Sequence, residues 1–332
     1  MRSVQPDELK ELMSRFDSVR VLVVGDVMMD EYVWGRVDRI SPEAPVPVVH
    51  VQRESWVPGG AGNVVTNLCA LGVSTDLLGL LGDDEPGRAL REELAGRGVG
   101  VDGLLSDSSR TTIRKTRVVA QHQQVVRVDR EKREPIDEAL TSRLLDAAYR
   151  ALPETDVVVI EDYGKGIVTE KVCAGLIAKA RELGKPVLVD PQIRRFHMYR
   201  ATNLVTPNLR EAADAVGVEP HNDDECAEMI ARRLKEMIDC DMVLVTRGEG
   251  GMSLLKADGE FCTMPAAARE VFDVSGAGDT VVATVAAGIG AGGRPEAACA
   301  LANYAAGGVV AKLGTATVTR DEIVNAIETG PV

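Results

Sequence analysis

The sequence predicts an α/β protein: a mostly parallel central sheet between two layers of helices, with a small second β-sheet attached. Three observations carry this. Continuous apolar runs closing on Gly, Asp or Pro recur along the chain, as strands buried on both faces should. Amphipathic helical stretches fall between them, and that alternation marks a parallel sheet covered on both sides. Two segments, 31–54 and 111–131, hold strand-like residues but no helix.

The first run is "VRVLVVG", Val19 to Gly25. Segment 31–54 follows and includes "RISPEAPVPVVHV", in which Pro45 and Pro47 stand two apart. Both missing amide hydrogens then fall on one side of an extended chain, which places such a strand at a sheet edge. Segment 111–131, "TTIRKTRVVAQHQQVVRVDRE", supplies two more strand-like pieces around Gln121 to Gln124. Together the two segments are expected to form an antiparallel lid of four strands. Further on, strands "DVVVIED", "KPVLVDP", "TNLVTP" and "DMVLVTRG" alternate with helices "DEALTSRLLDAAYRAL", "TEKVCAGLIAKARELG", "NLREAADAVG" and "DDECAEMIARRLKEMI". No repeat or low-complexity linker divides the chain, so one domain over 1–332 is expected, with ligands beyond the carboxyl ends of the strands.

Composition limits the partners. The 332 residues are 45% hydrophobic and 27% charged, as in an ordinary globular protein. A net charge of −13 disfavours nucleic acid, whose binding is driven by phosphate neutralisation, and 3% aromatics leave little for base stacking. The six cysteines are scattered without zinc-ligand spacing, and no apolar run reaches the roughly 20 residues of a membrane helix. The opening "MRSVQPDELKELMSRF" lacks the apolar centre of a secretion signal, so a cytoplasmic protein is expected.

Chemistry concentrates in three motifs. In "VFDVSGAGDTVVATVAAG" the backbone amides of Gly276, Ala277 and Gly278 at a helix start can hold anionic oxygens, with Asp279 beside them. That arrangement suits phosphoryl transfer with Asp279 as proton acceptor; the alternative is a helix start capped by an acid. In "VPGGAGNVVTNLCALG", Gly59 and Gly60 allow close backbone approach and Asn63 offers a donor and an acceptor to a polyol; otherwise it is a glycine-rich loop before a helix. In "GDVMMDEY", Asp26 and Asp30 flank the expected cleft and suit sugar hydroxyls, or serve as a cap and a solvated acid. "GIGAGG", Gly288 to Gly293, fits a dinucleotide fingerprint but follows a helix instead of a strand, so it reads as a connection between helices.

The early glycine pair with asparagine, "TPNLREA" and the late "GAGDT" resemble, in order and spacing, the ribokinase-like (PfkB) family of carbohydrate kinases. "GDVMMDEYVWGRVDRISPEAPVPVV", "QHQQVVRVDRE" and "EDYGKG" resemble more narrowly the family's kinases of D-glycero-D-manno-heptose 7-phosphate. The resemblance covers residues 17–328 and implies a ribokinase-like three-layer fold with a β-sheet lid. It implies ATP-dependent phosphorylation of the C1 hydroxyl to the 1,7-bisphosphate in ADP-heptose biosynthesis. Asp279 corresponds to the catalytic base and Gly276, Ala277 and Gly278 to the anion hole. Asn208, Leu209, Arg210 and Glu211 correspond to the ATP-contacting stretch, with Mg²⁺ held mainly by ATP phosphates and water and Glu211 acting on it through water. Thr246, Arg247, Gly248 and Gly251 in "TRGEGG" line the nucleotide side, with Asn303 near the adenine. A monovalent cation and a homodimer through the lid strands also go with the family.

A phosphorylated sugar needs local cations. Lys115 and Arg117 alternate on one strand face and are expected to reach the 7-phosphate, the alternative being solvated strand-face charges. Asp162 and Lys165 of "EDYGKG" follow a core strand on the substrate side. The chain departs from the kinases it resembles in reading Gly60-Ala61-Gly62-Asn63 where they usually read G-G-A-A-N and in placing Gln192 where a lysine is common after Asp-Pro. It shows no H-x-G-H nucleotidyltransferase pattern, so phosphorylation without adenylylation is expected. The rival readings are a kinase of another sugar, and a non-catalytic sugar-phosphate sensor.

Overall fold

Within the strand Arg20–Gly25, Val21 and Val23 join one buried cluster while Leu22 and Val24 join another. This alternation is what a strand packed on both faces requires, and it organises the computed structural model of the chain, which describes residues 4–121, 123–268 and 271–329.

In chain order the elements begin α1 (Pro6–Ser14), β1 (Arg20–Gly25), β2 (Val27–Ile40), β3 (Pro47–Gly60), α2 (Ala61–Ala70), β4 (Ser74–Gly82), α3 (Glu85–Gly96) and β5 (Leu104–Asp107). There follow β6 (Ile113–Ala120), β7 (Gln123–Arg130), α4 (Glu138–Ala151), β8 (Val157–Glu161), α5 (Glu170–Glu182), β9 (Val187–Asp190) and β10 (Leu204–Val205). The chain continues through α6 (Leu209–Val216), α7 (Asp224–Ile238), β11 (Met242–Thr246), β12 (Met252–Leu255), β13 (Phe261–Met264), α8 (Ala277–Gly290), α9 (Pro295–Val310) and α10 (Arg320–Thr329).

Nine strands form the main sheet in the order β13-β12-β11-β10-β9-β8-β1-β4-β5. Pairing is parallel from β5 to β11 and antiparallel at β12 and β13. Apolar side chains of α1, α2, α3, α8, α9 and α10 cover one face and those of α4 to α7 the other, giving three layers. Every strand and helix named from the sequence is present. The edge hairpin β12–β13 is not among those readings, because its short runs carry no period long enough to be distinctive. "GIGAGG" does join helices, α8 to α9. Among the described residues no helix is long and apolar enough to cross a membrane.

The two helix-free segments form a separate four-stranded sheet in the order β3-β2-β6-β7. The expectation of a wholly antiparallel sheet is corrected here: each hairpin is antiparallel, but β2 and β6 run parallel, Met28 opposite Ile113 through Gly35 opposite Ala120. Both strands leave the main body in the same direction, which dictates the pairing. The proline stretch lies at an edge, as expected. Pro47 is the first residue of β3, a position that tolerates the missing donor, whereas Pro45 falls in the turn before it, not in the strand. His122, inside the second segment, lies outside the described residues.

The loop after β8 is clamped to the chain leaving β7. Gly166 has φ +100°, its carbonyl accepts from Ile136 N–H at 2.9 Å, and a Cβ there would stand 2.2 Å from Glu134 O. Gly166→Ala therefore meets both a disfavoured backbone angle and a backbone clash. It is expected to lower stability by about 2 kcal/mol or more, read as a fall in the urea unfolding midpoint; an unchanged midpoint would show that the loop relaxes freely.

Candidate active site

Parallel pairing sets Gly25 opposite Glu161 and Glu161 opposite Asp190, so β1, β8 and β9 end in one row at the carboxyl edge of the sheet. Helix α8 starts above that row, with Gly276 at its N-cap and Asp279 in its first turn. Carboxylate oxygens of Glu161, Asp190 and Asp279 lie within 4.8 Å of one another; Glu161 and Asp279 are buried and Asp190 half-buried. Burial first, and then the neighbouring negative charges, push the Glu161 and Asp190 carboxyls far above the usual carboxylate range. Thr206 Oγ1 donates to Asp190 Oδ1 at 3.1 Å, while buried Glu161 Oε2 has no hydrogen-bond partner. An unpaired buried acceptor costs about 1–3 kcal/mol. A shared proton or a divalent cation would relieve it, so Glu161 and Asp190 fit a Mg²⁺ ion held between protein and a bound phosphate chain.

Asp279 is held differently. Asn63 Nδ2 donates to its Oδ2 at 2.6 Å and Tyr163 Oη to its Oδ1 at 3.0 Å. Burial raises its pKa to about 6, against the lowering effect of these two donors, with Asp30 raising it further and Lys115 opposing. Each donor is delivered by its own piece of backbone. Gly60, at φ +57°, caps α2 and lies so close to Asp26 O, 2.4 Å from a notional Cβ, that only glycine lets α2 carry Asn63 inward. Gly59 lies equally tight against the Asp30 carboxylate. Tyr163 sits on the loop after β8, whose N–H groups at Tyr163, Lys165 and Ile167 all donate to Asp26, at 3.0, 2.9 and 3.2 Å.

Three of the sugar-binding expectations are thereby corrected. Asp26 is fully buried and its carboxylate is taken up by that loop, so it is a backbone anchor instead of a surface for hydroxyls. Asp162 is likewise enclosed: Gly164 N–H, Arg195 Nη1 and Tyr199 Oη donate to it at 2.7, 3.0 and 2.7 Å. Asn63 faces Asp279 rather than standing free for a polyol.

The predicted cations do gather, since Lys165, Arg117 and Arg127 all bear on Lys115 electrostatically. Most are already neutralised. Arg117 Nη1 is 2.6 Å from Asp30 Oδ1, Lys165 Nζ is 2.5 Å from Glu131 Oε2, and Arg127 Nε is 2.8 Å from Asp129 Oδ1. Among the described residues Lys115 makes no ion pair; its ammonium stands 4.7 Å from the centre of the Tyr163 ring, and burial lowers its pKa.

On the other side of α8 stand the expected nucleotide residues. Asn208 and Glu211 form a capping box at α6, each side chain accepting from the other's N–H at 2.9 Å, and Glu211 is close enough to raise the Asp190 pKa. Leu209 is half-buried and Arg210 exposed, and Asn208 bridges to Thr246 at the end of β11. Gly248 and Gly251 bound the next turn. Arg247 is corrected: its guanidinium is buried on Asp224, Ser253 and Asn222, at 2.5, 2.9 and 3.1 Å, and braces that turn. Asn303 Nδ2 donates to Pro265 O at 2.7 Å. Glu161, Asp190 and Tyr163 were not singled out from the sequence. The available signal was an acid closing an apolar strand, in "VVIE" and "VLVD".

A three-layer α/β fold with a carboxylate and backbone amides together at a helix start, facing a cation-bearing β-sheet, defines a sugar-kinase type of phosphotransferase. The chain belongs to the pfkB family of carbohydrate kinases, whose model matches residues 19–322. It is 46% identical over 319 residues to the bifunctional protein HldE of Pelobacter propionicus, covering 96% of this chain and 65% of that protein. To HldE of a Caulobacter species it is 48% identical over 318 residues, covering 96% and 64%. The chain thus spans just under two thirds of the length of these relatives. In fold it matches the Arabidopsis thaliana ribokinase complexed with ribose and ATP, with TM-score 0.74, 19% identity and coverage of 93% and 99%. It also matches the Escherichia coli phosphofructokinase-2 in complex with potassium, with TM-score 0.77, 18% identity and coverage of 94% and 99%.

A base must be ionised to accept a proton, so turnover should fall as pH drops through about 6, where Asp279 takes up a proton. The Tyr163 hydroxyl opposes that uptake. Tyr163→Phe should therefore move the acidic limb of the kcat/KM profile to higher pH; a limb that stays in place would exclude the hydroxyl from tuning Asp279.

Proposed function

We propose that this kinase transfers the γ-phosphate of ATP to the C1 hydroxyl of D-glycero-D-manno-heptose 7-phosphate, giving the 1,7-bisphosphate used in cytoplasmic ADP-heptose biosynthesis. One observation carries the reading: the unpaired cation Lys115 and the base Asp279 lie against the same side chain, Tyr163, on its ring and on its hydroxyl. An acceptor held there would have a phosphate anchor on one side and a proton acceptor on the other. The heptose assignment is supported by the resemblance of "RISPEAPVPVV" and "EDYGKG" to heptose 7-phosphate kinases and by the similarity to the HldE proteins.

In the proposed step Asp279 takes the proton of the C1 hydroxyl as its oxygen forms a bond to the γ-phosphorus. The bond from that phosphorus to the β–γ bridging oxygen breaks, and its electron pair leaves on ADP. The N–H groups of Gly276 and Gly278 stabilise the migrating phosphoryl oxygens, joined by that of Ala277, which donates to Val274 O at 3.2 Å when no phosphate is bound. Mg²⁺, when bound, would neutralise charge on the ATP phosphates, with Glu161 and Asp190 as the carboxylates that would hold it, Glu211 placed to order its water and Asn208 to order the phosphates. Asp30 and Arg117, paired with each other, address the sugar hydroxyls and the 7-phosphate. The four-stranded sheet closes over the sugar and excludes water that would otherwise hydrolyse ATP. Apolar side chains exposed on that sheet, Ile40, Val51 and Val126 among them, support a homodimer through these strands.

ADP release measured across a panel of sugars and sugar phosphates tests the substrate. Heptose 7-phosphate should be strongly preferred, and equal turnover of an unphosphorylated hexose would defeat the assignment. Asp279→Asn should lower kcat by about 10²-fold or more with folding and ATP binding intact. Lys115→Met should raise the KM for the sugar phosphate at least about tenfold and leave the KM for ATP in place; an unchanged sugar-phosphate KM would remove Lys115 from the phosphate site.

A further inference from the structure

The amide of Asn63 can present either its nitrogen or its oxygen to Asp279, and only the nitrogen holds the carboxylate. What decides between them lies one turn further along α2. Asn67 is 1% exposed, and its Nδ2 donates to Asn63 O at 3.0 Å and to Asn63 Oδ1 at 3.3 Å. Its Oδ1 accepts from Thr280 Oγ1 at 3.0 Å, a hydroxyl that also lies 3.1 Å from Gly276 O. Thr280 is fully buried and adjoins Asp279 in α8.

Donor and acceptor arithmetic fixes the chain of orientations. The carbonyl of Asn63 only accepts, so the Asn67 nitrogen must face it. The Asn67 oxygen then turns to the Thr280 hydroxyl. Because the same Asn67 nitrogen also reaches the Asn63 side chain, that side chain must turn its oxygen to Asn67 and its nitrogen to Asp279. The flipped Asn63 would set oxygen against carboxylate and nitrogen against nitrogen, two unfavourable contacts between buried groups. We infer that Asn67, oriented by the Asn63 carbonyl and held in place by the Thr280 hydroxyl, is a positioning residue that locks the Asn63 amide in the one orientation that holds the catalytic carboxylate. The inference rests on the reading of Asp279 as base. It links α2 to α8 through residues separated by more than 200 positions, and it gives the threonine of "GAGDT" a task apart from helix formation.

Asn67→Leu tests it: the branch at Cγ is kept in a larger, apolar side chain, Thr280 keeps Gly276 O as acceptor, and Asn63 O belongs to the interior of α2. Phosphoryl transfer should fall roughly 10- to 100-fold in kcat, with the KM for ATP and the thermal midpoint close to those of the parent. The decisive readout is a double-mutant cycle: once Asn63→Ala has removed the amide, Asn67→Leu should cost nothing more, whereas a general packing defect would cost the same in both backgrounds. Thr280→Val should reproduce part of the loss and Thr280→Ser should restore it. Wild-type kcat in Asn67→Leu, or equal losses with and without Asn63, would overturn the inference. Absence of ATP-dependent product from the parent protein, or full activity in Asp279→Asn, would instead overturn the reading of Asp279 on which it depends.

Discussion

A carboxylate buried beside two others must be held by donors, or it takes up a proton and loses the capacity to accept one. Asp279 is in that position, over Glu161 and Asp190 at the carboxyl edge of the sheet. Hydrogen bonds to a charged group contribute about 1.5–3 kcal/mol each, so two of them offset a substantial part of the desolvation that raises its pKa. Much of the surrounding structure can be traced to supplying them. The tight glycine pair ahead of α2 brings in Asn63, and buried Asp26 gathers three loop amides so that Tyr163 arrives from the opposite side. Asp26 thus stabilises the site without any surface of its own.

The acceptor side solves the converse problem. A protein of net charge −13 must present positive charge to a phosphate, and it does so by gathering four basic side chains between the four-stranded sheet and the loop after β8. Three are held in place by carboxylates, which limits repulsion among them and fixes their geometry. Lys115 is left resting on an aromatic face. That interaction is worth about 0.5–2 kcal/mol, less than a charge-assisted hydrogen bond to phosphate offers, so the ammonium is positioned but not committed.

The main sheet was legible because strands buried on both faces leave unbroken apolar runs, and α8 was legible because "GAGD" is compact and local. Asp279 could be chosen for that reason. Its partners could not, since Asn63 lies 216 positions away and Tyr163 lies 116 away, and nothing in "VPGGAGN" or "EDYGKG" says that they converge. Acidic residues were the least readable. Asp26, Asp162, Glu161 and Asp190 all follow or close strands, yet two anchor a loop and two face the site, a difference set by which way each oxygen turns. Pro47 marked the edge of the small sheet correctly, while the parallel pairing of β2 with β6 depends on where two distant strands leave the main body and has no local signature.

The most direct measurement is a crystal structure with heptose 7-phosphate, Mg²⁺ and a non-hydrolysable ATP analogue bound together. Expected is the anomeric hydroxyl within ~3 Å of an Asp279 oxygen, the sugar phosphate on Lys115, and Asn63 still donating to the carboxylate. An acceptor hydroxyl remote from Asp279, or an Asp279 engaged only by the metal ion while another group faces the hydroxyl, would contradict it.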